Sequence, residues 1–358
     1  MDLSVIPFSG DDKDLWNEWV GSNPWASFYH LWDWGEVLCK TYGYRRHYLG
    51  AKRGDEIVGV LPLIYIRSRI FADKLVSLPF AEYGGPLLTD PIDSSDKKSA
   101  LTVLSERVSA LAAGLGIDYV DLRQPRFPLS LRVPTYASKP LRRYVTFVLD
   151  LTKGESELWR RLDRKCRNAV RKARKSGVKI INIDFEDVGR YYRLHLLTES
   201  RRGSPPHSEA FFRSVSEAFR QEGLRMTLAL YDGKAIGGIM AFYFGKRIYW
   251  FNNVLDREYA SLNSTNLLLW HLINWGIQND FETLDLGQTR PEDMGTYRFK
   301  SGWNGREVPL QNRVFMMKNV EIPDPLQRKY LILSRLWSML PQALVSQVGP
   351  SIISNIAI

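Results

Sequence analysis

Near residue 300 the chain places an apolar run ending at a glycine, a polar loop, and then one lysine among aromatic residues. The run is Leu284-Asp285-Leu286-Gly287-Gln288, and the lysine lies in Tyr297-Arg298-Phe299-Lys300-Ser301-Gly302-Trp303. A cation held between Phe299 and Trp303 is partly desolvated and can put charge where a reacting oxygen turns negative. Lysines also sit at strand edges, where they block aggregation, and the spacing leaves both readings open.

A second concentration of chemistry lies between Arg160 and Lys175. Nine basic residues face the single acid Asp163, so this segment carries eight of the ten net positive charges of the 358-residue chain. Leu158, Leu162, Ala169 and Ala173 recur at helical spacing, Glu155 and Glu157 stand near the start, and Ser176-Gly177 ends the pattern. The spacing predicts one amphipathic helix with Arg160, Arg164, Arg167, Arg171 and Arg174 along one stripe. Like charges at i, i+4 repel. A one-signed face of this kind calls for an anion, either the phosphates of a substrate or those of a nucleic acid.

Composition narrows the classes. The hydrophobic and charged fractions are those of an ordinary globular protein, and the length suits two domains. Two cysteines exclude a disulfide framework and a thiolate cluster, and five scattered histidines offer no ligand pair, so neither metal nor cofactor is expected. No basic-then-apolar leader opens the sequence and no apolar run is long enough to span a bilayer, which predicts a cytoplasmic protein.

The chain repeats one order of elements. Lys52 to Val60 and Tyr231 to Ile239 each read as a hairpin, the second with an Asp-Gly turn. Helical stretches follow, Lys97 to Leu115 and Asn266 to Gln278. They lead to the strands Tyr119 to Gln124 and Thr283 to Gln288. This predicts an α/β fold of two tandem lobes, each a mixed sheet flanked by helices. The expected boundaries are 1–150, completed by 310–323, for the first lobe and 151–309 for the second. A tail of amphipathic helices, 324–358, would be capped by Asp324 and Pro325. With Lys329, Arg335 and Trp337, the tail either packs on the protein or lies on a membrane surface.

These features together resemble the Fem family of peptidyltransferases. The resemblance covers nearly the whole chain. It rests on the basic helix Leu158 to Ala173, on Thr198-Glu199-Ser200-Arg201-Arg202-Gly203, on Asn263 to Trp270, and on Asp285-Leu286-Gly287 with Phe299 to Gly305. Trp34 in Phe28 to Trp34, and Tyr83 in Tyr83-Gly84-Gly85-Pro86, also look like family positions. The resemblance implies two acetyltransferase-type (GNAT) lobes facing a shared cleft. It also implies transfer of an amino acid from aminoacyl-tRNA to an amine of a lipid- or nucleotide-linked envelope precursor, at the inner face of the membrane. The tail looks like that of members accompanying exopolysaccharide systems.

By the same resemblance Lys300 stabilises the developing oxyanion, with Phe299 and Trp303 positioning it. Asp121 holds or deprotonates the acceptor amine, Arg201 and Arg202 grip a phosphate or carboxylate, and the basic helix takes the tRNA backbone. One departure from acetyltransferases is Ser261-Leu262-Asn263-Ser264-Thr265-Asn266, which lacks the glycines of a pyrophosphate-binding turn and argues against coenzyme A. The alternatives are a CoA-dependent N-acyltransferase acting on a sugar nucleotide or exopolysaccharide, and a non-catalytic binding module.

Overall fold

The computed structural model describes residues 3–68, 71–89, 94–123, 137–140, 144–322 and 327–357. Gln124, Asp324 and Pro325 lie outside the described residues. The chain divides into two compact units, 1–143 with 310–323 and 354–358, and 144–309 with 324–353. The strand Tyr144–Asp150 therefore goes with the second unit rather than the first, and the tail is shared between the two.

In chain order the first unit carries β1 (Leu3–Phe8), α1 (Lys13–Ser22), α2 (Trp32–Tyr42), β2 (Arg45–Arg46), β3 (Tyr48–Arg53) and β4 (Glu56–Leu61). Then come β5 (Ile64–Ile66), β6 (Lys74–Val76), β7 (Leu87–Leu88), α3 (Ser94–Leu115), β8 (Tyr119–Leu122) and β9 (Ala137–Pro140). The second unit runs through β10 (Tyr144–Asp150), α4 (Gly154–Arg161), α5 (Arg164–Lys175), β11 (Lys179–Ile183), α6 (Val188–Arg202) and α7 (Glu209–Ala218). It continues with β12 (Leu224–Tyr231), β13 (Lys234–Phe244), β14 (Arg247–Leu255), α8 (Ser264–Gln278), β15 (Thr283–Asp285), α9 (Met294–Ser301) and β16 (Arg306–Leu310). β17 (Arg313–Met316) returns to the first unit, and α10 (Arg328–Trp337) and α11 (Gln342–Ile356) close the chain.

The duplicated order is present in space. The hairpins β3–β4 and β12–β13 are antiparallel, and Asp232 and Gly233 both take positive φ, 48° and 77°, as a two-residue type I′ turn requires. In each unit a helix crosses over to a parallel pair, β6 with β8 through α3 and β14 with β15 through α8. The second unit builds one sheet in the order β11-β12-β13-β14-β15-β10-β16. The first divides the same parts between β1-β3-β4-β7 and β2-β5-β6-β8-β17-β9.

The expected single basic helix is two helices, broken at Leu162 and Asp163. Leu162 is buried and leaves the helical region with ψ near 144°, so its side chain joins the core and the chain turns. The arginine stripe is broken with it. Arg160 is bound by both side-chain oxygens of Glu157, and Arg167 turns back onto the Leu162, Arg160 and Trp159 carbonyls that end α4. Arg164, Arg171 and Arg174 remain exposed on α5, whose opposite face buries Cys166, Val170 and Ala173.

Candidate active site

The second unit opens where β14 and β15 part. The two strands pair only through Arg247, Ile248 and Tyr249, opposite Thr283, Leu284 and Asp285. Immediately beyond, β14 carries an irregularity against β13: Ala241 faces Trp250 and Met240 faces Asn252, which leaves Phe251 as an extra residue. A bulge of this kind bends its strand and re-aims side chains. β15 meanwhile ends, and Gly287 turns with φ near 74°. A fork results, with Trp250, Asn252 and Asn253 on one prong and the Gly287 turn at the end of the other.

Asp285 fixes the second prong. Its buried carboxylate accepts the Thr146 hydroxyl on β10 and the Gly287 N–H at 2.8 Å. It is a structural acid, and the turn depends on it.

Lys300 lies against this fork. It sits on α9 rather than on a strand or loop, and it is only 8% exposed. Its ammonium donates to the carbonyls of Gly287 at 2.9 Å and Gln288 at 3.0 Å. The ring facing it is Trp250, 5.7 Å from the ammonium to the centroid. Phe299 bridges to Trp250 and to Trp303, and Trp303 is a core residue, 1% exposed.

Other stations of β14 gather polar groups. Asn252 accepts the Tyr191 hydroxyl at 2.8 Å, and the buried amide oxygen of Asn253 has no partner. At the end of the strand Thr198 accepts the Leu255 N–H at 2.9 Å, which fastens α6 there. Arg201 and Arg202 belong to the last turn of α6; Gly203 ends that helix with φ near 68°. Arg202 pairs with Glu199 at 3.0 Å. Arg201 is held below the usual guanidinium range, chiefly by burial and then by the charges of Arg257 and Arg202. The charges of Arg201, Arg202 and Arg257 thus act on one another at the end of α6.

Beyond Arg257, α8 begins at Ser264. Asn263 precedes it in the left-handed region, φ 54° and ψ 34°, the conformation usually left to glycine. The buried hydroxyls of Ser264 and Thr265 have no partner. The glycine-free turn thus contains one residue with a glycine-like backbone conformation. α5 joins the same region, because the Asp163 N–H donates to the Gly302 carbonyl at 3.1 Å, two residues after Lys300.

The first unit has its own buried polar group. Asp121, on β8, forms an ion pair with Arg123 at 3.1 Å, both nearly inaccessible, and its second carboxylate oxygen has no partner. Lys74, on the paired strand β6, donates to the carbonyls of Asn355 and Ile356 at 2.8 and 2.9 Å. Burial foremost pushes the Lys74 ammonium down to about 8, opposed by the Asp121 carboxylate. Arg123 also donates to the Ala357 carbonyl, and Tyr44 to that of Ser354. Lys74, Arg123 and Tyr44 thus bind segment 354–357, and Asp121, expected to hold or deprotonate the acceptor amine, is an ion-paired interior carboxylate. Trp34 is wholly buried against Phe28 and Tyr29, with ring centroids 5.7 and 5.4 Å away, and is core. Tyr83 is half-buried in the segment between β6 and β7.

Lys74, Arg123 and Trp250 escape a reading of the sequence, and Asn263 enters it only as part of a glycine-free turn. Only Arg123 carried a local signal, since Asp121-Leu122-Arg123 puts opposite charges on one face of a strand.

Residues 160–301 match the family model of the acetyltransferase (GNAT) domain. The structure is similar to the crystal structure of FemX, at 13% identity and a TM-score of 0.65, over 94% of this chain and all of that one. It is also similar to a tandem GNAT protein from the clavulanic acid biosynthesis pathway, at 12% identity and a TM-score of 0.54, over 89% of this chain and 100% of that one. L-PGS from Bacillus licheniformis is similar at 12% identity and a TM-score of 0.51, over 86% of this chain and 97% of that one. No curated relative matches in sequence.

The chain has a tandem GNAT fold like that of FemX. Most of its second unit matches the acetyltransferase (GNAT) domain, and that match supports transferase activity. The fork of β14 and β15 lies within the segment that matches the GNAT domain, together with Lys300, Arg201 and the start of α8.

Proposed function

We propose that this protein is an acyltransferase that moves an aminoacyl group from aminoacyl-tRNA to an amine of a lipid- or nucleotide-linked cell-envelope precursor, on the cytoplasmic side of the membrane. The observation that carries this reading is the buried Lys300 ammonium fixed against the β14–β15 fork by the Gly287 and Gln288 carbonyls.

In the reaction the acceptor amine bonds to the ester carbonyl carbon, and the carbonyl oxygen gains negative charge. Lys300 stabilises that charge at short range in a site with little water. The ester bond then breaks, and the ribose oxygen leaves with a proton given up by the amine. Arg201 and Arg257 hold a phosphate of donor or acceptor, while Arg164, Arg171 and Arg174 track the tRNA backbone. The paired state of Asp121 gives it no proton-transfer role in this scheme.

Transfer of radiolabel from aminoacyl-tRNA to peptide or glycan precursors tests the reading. The expected result is labelled acceptor with the native protein, formed on the order of a hundredfold more slowly, or slower still, with Lys300→Met. Labelling from acetyl-CoA alone would replace it with a CoA-dependent N-acyltransferase on a sugar nucleotide or exopolysaccharide. That second reading is favoured by the left-handed Asn263 at the start of α8. Full function in vivo with Lys300→Ala would favour a non-catalytic binding module.

A further inference from the structure

Among the described residues ten large apolar side chains are strongly exposed, and eight of them lie between Leu331 and Val348. They belong to α10, α11 and the turn between. Met339 in that turn is 80% exposed.

The helix α10 is turned the wrong way for water. Its inward stripe is Tyr330, Ser334 and Trp337, which are only partly covered. The Ser334 hydroxyl donates to the Arg202 carbonyl at 3.3 Å, and the Trp337 indole N–H donates to the Ser204 carbonyl at 3.0 Å. Gly203 makes this approach possible, because a Cβ there would lie 2.2 Å from the Ser334 carbonyl oxygen. The outward face presents Ile332, Leu333 and Leu336, and Met339 and Leu340 extend it beyond the helix. A surface helix in water puts its apolar stripe inward; here the hydrogen-bonding stripe is inward and the apolar one outward.

Charge decides between the phases that could cover such a face. The described residues from Gln327 to Ala357 carry Arg328, Lys329 and Arg335 and no acid. Arg201 and Arg202 stand at the end of α6 against which α10 rests. A symmetric contact between two copies would bring these cations against their own kind. A bilayer with anionic headgroups would neutralise them while its acyl boundary takes the leucines. Among the described residues no helix is long and apolar enough to cross a membrane.

We propose that α10 and α11 form an interfacial anchor that lies in the headgroup boundary of a bilayer containing anionic lipid. This rests on the tail alone and not on the transfer reaction. The test is co-sedimentation of the full chain with vesicles of phosphatidylcholine, or of phosphatidylcholine with about one-third phosphatidylglycerol. The native protein is expected to bind the anionic vesicles. The triple change Leu333→Ser, Leu336→Ser, Met339→Ser should weaken binding on the order of a hundredfold. Its thermal midpoint should be unchanged, since all three side chains are exposed.

The triple change Arg328→Gln, Lys329→Gln, Arg335→Gln should weaken it at least tenfold and abolish the preference for phosphatidylglycerol. In Leu336→Trp, emission should shift to the blue with anionic vesicles. Native protein left in the supernatant with both vesicles, or serine variants that bind as the native protein does, would overturn the proposal. So would a native dimer that the serine changes convert to monomer without altering vesicle binding.

Discussion

The Lys300 ammonium stands 2.9 Å from the Gly287 carbonyl oxygen, and this contact joins α9 to the turn that ends β15. One side chain thus places a positive charge beside the fork and also holds the fork's second prong in position. Asp285 secures the same turn from below through the Gly287 N–H. Position and charge at this site therefore cannot be changed independently.

Lys300→Met should lower the transfer rate on the order of a hundredfold or more, the usual effect of removing one group that meets a developing oxyanion. It should also cost ~1–3 kcal/mol of stability, because two buried carbonyls lose their donor. Steady-state kinetics beside urea unfolding separates the two effects. A normal rate in a folded Lys300→Met protein would remove the lysine from the chemistry.

The arginines of the basic segment should divide into two groups. Arg171→Gln and Arg174→Gln, exposed on α5, should each reduce the slope of log affinity for tRNA against log salt by about 0.7–0.9. Arg160→Gln and Arg167→Gln should leave the slope nearly unchanged, since Glu157 and the carbonyls ending α4 already engage them. Equal slopes for all four variants would contradict this division.

Acid should unfold the protein through its buried histidines. His30 accepts the Ser27 N–H at Nδ1, so its proton is on Nε2, facing the Gly85 carbonyl at 3.2 Å. Burial pushes His30 down to about 4 and His207 down to about 3. Both folded values lie below the ordinary 6.5, so the unfolded chain binds more protons beneath that pH. The stability is fully present above pH 6.5 and is lost as pH falls through 4 and then 3, by up to ~1.4 kcal/mol per unit for each histidine. In His30→Gln the urea midpoint should fall less steeply between pH 6.5 and 4, and a curve parallel to the native one would count against the assignment.

Arg123→Met should destabilise the first unit by ~3–5 kcal/mol, because it strands the buried Asp121 carboxylate. Adding Asp121→Asn should recover part of that loss. Urea unfolding of both variants measures the coupling, and additive losses would show that the pair does not act as a unit.

The sequence alone determined the elements whose causes are local. The Asp232-Gly233 turn, the Ser176-Gly177 helix stop and the repeated order of hairpin, helix and strand all depend on neighbouring residues, and the structure has each of them. The chemical inventory was equally legible: a lysine near 300, arginines near 165 and 201, an acid at 121. What each of these touches was not. Leu162 breaks the basic helix because the core claims it. Lys300 meets Gly287 across 13 residues, Thr146 meets Asp285 across 139, and Lys74 meets Asn355 across 281. Hydrogen bonds and burial between distant segments depend on how strands pair, and strand pairing leaves no mark at the positions it brings together. So only the tertiary structure could set Lys300 at a fork and Asp121 in an interior ion pair.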